Sequence, residues 1–310
     1  MINGERNILW PSVVRWYAKS SGTTNDKSKF LPVTPEILKG CHYKGGFDCV
    51  AIYLRNNPES RFFSKKGLIL GGSHSPSPLN SEAHQGDLSA VLLQNLNPLV
   101  NLIRVPKKPI ILMDEWESKI KAIVENTWNK DVNSLSGVPS WMLVLIKAVL
   151  KKTGREYLTD VWPNLEVFFH GGISFEPYRE QYKTLIPSNK MHYMETYNAS
   201  EGFFGLQDDP TDSSLLMMPD YGIFYEFIPM NEVGNAHPTV LPLESVETGK
   251  NYAMVITTSG GLWRYQIGDT VRFTSLFPHK FVISGRTKHF INAFGEELMV
   301  DNADKAIAMT

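Results

Sequence analysis

The chain has 310 residues, 42% of them hydrophobic and 20% charged, which provides for a large buried core and excludes a disordered or collagen-like chain. With 31 basic against 32 acidic residues and a formal net charge of -1, it lacks the positive field of a backbone-driven nucleic-acid binder, so any anionic ligand needs a local site. Cys41 and Cys49 are the only two cysteines and form no CxxC pair, which suits a reducing cytoplasm, and neither a membrane span nor a signal peptide is legible.

In chain order, the stretch from Lys19 to Asp48 is rich in Ser, Thr, Lys and Gly, and it leads into alternating apolar segments and polar loops of mixed α/β type. Thr34-Pro35-Glu36 reads as a capped helix start, and Gly86-Asp87 leads a helix into LSAVLLQNL. Further helices are predicted over Asp114 to Trp128, Pro139 to Lys152 with Gly154 just beyond, and Ser174 to Leu185. Short runs rich in aromatic or branched residues predict strands at Gly67 to Leu70, Leu165 to His170, Met191 to Thr196 and Gly222 to Ile228. After residue 220 successive strands follow: Tyr252 to Thr258, Leu262 to Tyr265, Thr270 to Thr274 and Lys280 to Ser284. This predicts an antiparallel sheet or barrel added to an α/β body. The residues from Lys288 onward read as the opening of another unit, a strand or turn leading into a helix start near Val300, and the abrupt start and stop suggest a chain cut at both ends.

Three motifs carry chemistry. Lys19-Ser20-Ser21-Gly22-Thr23-Thr24 gathers four hydroxyls around one glycine, a loop able to surround a polyphosphate although it is not GxxxxGK[ST]. Tyr197-Asn198-Ala199-Ser200-Glu201-Gly202 follows a predicted strand and offers an aromatic face, a hydroxyl and a carboxylate suited to a hard cation. Asp269, after Gly268, can accept two hydrogen bonds from a ribose diol, with Arg286 seventeen residues on. Taken singly, each has a plain alternative: a solvated turn, a polar loop with Tyr197 as a core lid, and a capped turn with a surface arginine.

In this order the motifs resemble those of the adenylate-forming superfamily. Within it the similarity is to the acyl-acid amido synthetases, the family of plant auxin- and jasmonate-conjugating enzymes with bacterial relatives. The carrying residues are SSGTT at Ser20 to Thr24, GDLSAVL at Gly86 to Leu92, SGVPSWM at Ser136 to Met142, FHGG at Phe169 to Gly172, YNASEG at Tyr197 to Gly202 and RYQIGD at Arg264 to Asp269. The resemblance implies an adenylate-forming core over 1–285, with mixed sheets and an antiparallel sub-barrel, and a hinge and truncated C-terminal domain over 286–310. It also implies a ligase that makes an acyl-AMP from ATP and a carboxylic acid and passes the acyl group to an amino acid amine. By the same resemblance Ser20, Ser21, Gly22, Thr23 and Thr24 would hold the terminal phosphates. Tyr197 would pack on adenine, Ser200 would contact the α-phosphate, Glu201 would hold Mg²⁺ and Asp269 the ribose hydroxyls, with Arg286 at the hinge.

Val138, Trp141, Met142, Gly171 and Gly172 are candidates for the acyl pocket. His170 is the tempting base for the second half-reaction, although a histidine ending an apolar strand is more often a core residue; His74 is equally open, and the other histidines show no metal spacing. An acyl-CoA ligase and an inactive nucleotide-binding remnant stay open as alternatives, as do the acid, the amine and the oligomeric state. The missing ends imply that the isolated chain folds and binds nucleotide but turns over weakly.

Overall fold

The computed structural model describes residues 1–11, 13–20, 29–287, 290–293 and 296–299. Among them, twelve strands form one hydrogen-bonded ladder. Five of these are mutually parallel and run in the spatial order His192–Ala199, Val167–Gly171, Val132–Gly137, Lys66–Ile69 and Arg104–Val105. On the other side of His192–Ala199 the ladder continues antiparallel through Gly202–Leu206, Leu215–Met217, His279–Arg286, Tyr265–Leu276, Asn251–Thr258, Ile223–Pro229 and Leu241–Pro242. A separate sheet orders Lys29–Val33, Trp16–Ser20, Asn80–Gly86 and His74–Ser77.

The mixed α/β architecture read from the sequence is therefore present, with its antiparallel part continuous with the parallel part and starting at Gly202 rather than after residue 220. Two segments change the local reading of the motifs. Tyr197 to Ala199 complete the His192–Ala199 strand, so only Ser200 and Glu201 form the turn. Leu262 to Arg264 are not a strand: Arg264 adopts a positive φ of 44°, and one long strand, Tyr265–Leu276, contains both Asp269 and the segment expected to follow it. At the far end, Phe290–Ala293 pairs antiparallel with Glu296–Met299, and the helix start expected from residue 300 lies outside the described residues.

Helices cover the parallel half because they bury apolar stripes against it. Pro139–Thr153 places Met142, Leu145, Ile146 and Val149 at helical spacing into a core with Leu135, Phe168 and Trp162. Val138, which precedes it, has no side-chain oxygen to cap the helix, whereas Thr34 caps Pro35–Ile37 by accepting from the Ile37 N–H at 3.1 Å. A second core fills the antiparallel half around Phe204, Phe227, Phe273 and Phe281, and Cys41 and Cys49 contribute to it as buried free thiols. The helix Lys44–Asn56 lies over the central strands so closely that a Cβ on Gly45 would stand 2.5 Å from the Phe203 ring.

Candidate active site

The strand-to-strand turn at Ser200 and Glu201 lies where the parallel half of the ladder meets the antiparallel half. Glu201 is 7% exposed, and its Oε1 accepts from the Ser20 hydroxyl at 3.4 Å. Burial is the main cause that raises its pKa, with Asp269 a further contributor. The Ser200 hydroxyl donates to the Lys19 carbonyl at 3.3 Å, so the turn and the first motif are joined at two points. Ser21, Gly22, Thr23 and Thr24, the remainder of that motif, lie outside the described residues.

Asp269 and Arg286 face each other as paired residues of neighbouring strands, and the Arg286 Nε donates to Asp269 Oδ1 at 2.7 Å. The other carboxylate oxygen accepts from the Tyr197 hydroxyl. Tyr197 packs its ring on Phe204 and Phe281, at 4.8 and 6.1 Å between centroids, so it belongs to the core and to the cavity wall at once. Each carboxylate oxygen of Asp269 has a second lone pair, which leaves capacity for a diol. Beside Tyr197, Asn198 is fixed by His42, whose Nδ1 is 2.9 Å from Asn198 Oδ1; burial lowers the His42 pKa to about 4 and keeps it neutral.

These groups line one cleft of about 1910 Å³. Ser20, Tyr197, Ser200, Glu201, Asp269 and Arg286 all contribute to its wall, as do Val138, Trp141, Gly171 and Gly172. Gly171 is required for space, because a Cβ there would stand 2.3 Å from the Thr196 carbonyl oxygen. Met142, expected in the acyl wall, is instead fully buried in the core beneath the sheet, one helical position round from Trp141. His170 lines the cleft but stacks on Phe175 at 4.2 Å, and burial drives its pKa down to about 3. A ring that weakly basic is poorly matched to taking a proton from an amine at neutral pH. His74 sits edge-on to Trp16, outside the cleft lining.

Sequence reasoning missed several residues of the cleft. Asp87 holds a neighbouring loop by accepting from the Ser73 N–H at 3.0 Å, and Glu195 has its pKa raised by burial. Arg104 and Ser134 also line it. Asp87 lies within the GDLSAVL string; Glu195, Arg104 and Ser134 carry no local signal, because only the strand register brings them to the cavity. A buried carboxylate and a set of oriented hydroxyl donors fit a divalent cation bound to phosphate oxygens, which normally needs only one or two protein carboxylates. No helix among the described residues is long and apolar enough to cross a membrane.

Comparison with known proteins agrees with this geometry. Residues 1–191 match the model of the GH3 family N-terminal domain, and residues 216–286 that of the GH3 family central domain. An indole-3-acetic acid-amido synthetase, GH3.4 of Arabidopsis thaliana, is 30% identical over 170 residues, covering 51% of this chain and 27% of that protein. The structure of the GH3.15 acyl acid amido synthetase superposes with a TM-score of 0.77 at 18% identity, covering 98% of this chain and 62% of the other. ATP-bound MatB from Rhodopseudomonas palustris has a TM-score of 0.51 at 14% identity, covering 91% and 50%. The fold is thus that of GH3 and adenylate-forming enzymes, and the chain spans only part of the length of these relatives.

Proposed function

The chain belongs to the GH3 family, and from that membership we propose that it serves an ATP-dependent ligase joining a small carboxylic acid to the amine of an amino acid through an acyl-AMP. The observation that carries this reading is the convergence of Ser20, Ser200 and Glu201 with the Tyr197–Asp269–Arg286 chain along one cleft.

An attacking carboxylate and a triphosphate repel each other until fixed donors offset their charge, so the work of such a site is positioning and charge stabilisation. Asp269, held from both sides, orients the ribose hydroxyls. Tyr197 limits the adenine end, and the hydroxyls of Ser20 and Ser200 face the phosphates. Ser21, Thr23 and Thr24 complete the phosphate loop with Gly22 in this reading. Mg²⁺ held by Glu201 would supply charge neutralisation for the departing pyrophosphate. The substrate carboxylate is itself the nucleophile, so no serine or cysteine nucleophile is called for. Trp141, Val138, Gly171 and Gly172 form the wall nearest the acyl group. Residues 1–285 then make up the adenylate-forming core, with 286–310 opening the unit that follows, and the buried free thiols of Cys41 and Cys49 support a cytoplasmic setting.

The test is acid-dependent exchange of labelled pyrophosphate into ATP, scanned over a panel of acids, with amino acids and CoA compared as acceptors. Glu201→Ala should lower exchange by at least about tenfold and nucleotide affinity much less, because charge builds up during bond cleavage. Equal losses in both would make Glu201 structural only, and exchange that ignores the acid would remove the ligase reading.

A further inference from the structure

The cleft has a second polar end for which acyl transfer gives no role. Arg104, at the outer edge of the parallel strands, is 5% exposed and lines the cavity. Its Nη2 donates to Asn101 Oδ1, while Nε and Nη1 have no hydrogen-bond partner. Burial lowers its pKa, and no carboxylate of the described residues offsets that effect. A guanidinium withdrawn from water without a counter-charge is costly, and its planar fork fits a carboxylate on two nitrogens.

The strand register supplies a companion. Arg104 pairs with Gly67, and Gly67 with Ser134, so the three share one row on one face of the sheet. Gly67 has no positive φ, so its backbone does not need glycine. What the missing side chain leaves is room: a Cβ there would stand 2.9 Å from Ser134 Oγ. Ser134 also lines the cavity, which presents a cationic fork and a hydroxyl on either side of a hollow.

From this row we infer an anion subsite at the end of the cleft and, resting on the ligase reading, that the acid activated here is an extended dicarboxylate. The row meets the strand carrying Tyr197 at His192, four ladder spacings or about 19 Å away. His192 is five residues, about 16 Å, short of Tyr197, so Arg104 and Tyr197 stand about 25 Å apart. An extended chain of about ten carbons, roughly 12 Å end to end, reaches from the guanidinium fork along part of that distance and sets a lower bound on the acid's length. The wall between is apolar, with Leu54, Phe62, Ile69, Leu93 and Phe169 available to methylene groups.

Calorimetric titration of the 310-residue chain with decanedioate and with decanoate tests the subsite, and pyrophosphate exchange with the same two acids tests the chemistry. Decanedioate is expected to bind at least about tenfold more tightly, and Arg104→Met to abolish that preference while leaving decanoate binding unchanged. Ser134→Ala should reduce the preference part of the way and serves where Arg104→Met fails to fold. Equal binding of the two acids by the unaltered chain overturns the subsite, whatever the exchange assay reads. Arg104-dependent binding of decanedioate with no exchange for any acid, by this chain or by one extended at both ends, keeps the subsite and defeats the ligase reading.

Discussion

Glu201 sits where a carboxylate is poorly solvated, and the fold therefore favours its protonated form. For a carboxyl with a raised folded pKa, the stability contribution is fully present below the ordinary value of 4.5 and is lost as pH rises through the folded value. Glu201→Gln should raise Tm at pH 7 and leave it nearly unchanged at pH 4; an equal shift at both pH values in a thermal scan would contradict burial as the cause. His170 has the opposite sign. Its pKa is lowered from 6.5 to about 3, so the neutral ring is favoured, and stability present above pH 6.5 is lost as pH falls towards 3. His170→Phe, in a pocket already made by Phe168 and Phe175, should move the acid-unfolding midpoint to lower pH. Tyr197→Phe deletes one donor to Asp269 and should cost about 1 kcal/mol of stability, read by denaturant titration, with a weaker nucleotide affinity read by calorimetry.

The elements best legible in the sequence are those whose punctuation is local. Thr34 before Pro35 marks a cap that forms, and Pro139 with Gly154 brackets Pro139–Thr153 to within one residue of the expected end. Gly154 takes a φ of 65°, and a Cβ there would meet nothing within 4 Å, so Gly154→Ala would cost only the backbone strain of the left-handed region. That is about 1 to 2 kcal/mol, a fall of a few degrees in Tm by calorimetry. Elements held by packing were not legible. Lys44–Asn56 opens with two glycines, poor helix formers, one of which is there because Phe203 lies against it. Val132–Gly137 reads VNSLSG, too polar for a strand by composition, yet four of its residues are buried between parallel neighbours. The same blindness hid the Arg104, Gly67 and Ser134 row, since it exists only through register. By contrast Ser20, Tyr197, Ser200, Glu201, Asp269 and Arg286 are legible because their residue types sit in short contiguous strings, whereas Met142 was misplaced because neighbouring helical positions face different ways.

Across the whole molecule, the cleft takes its walls from both halves of the ladder, so a ligand that fills it ties the halves together. ATP with Mg²⁺ at a hundredfold excess over Kd should stabilise the chain by about 2.7 kcal/mol, measured as a rise in Tm, and Glu201→Ala should remove the part of the rise that depends on Mg²⁺. A rise that persists unchanged in that variant would place the cation elsewhere. The turn at Ser200 and Glu201 occupies the seam where strand direction reverses, and both flanks of that seam are pinned by central strands. Loops at the two outer margins of the ladder are tied to no such seam. They are free to lengthen, shorten or change composition over evolutionary time without displacing the turn.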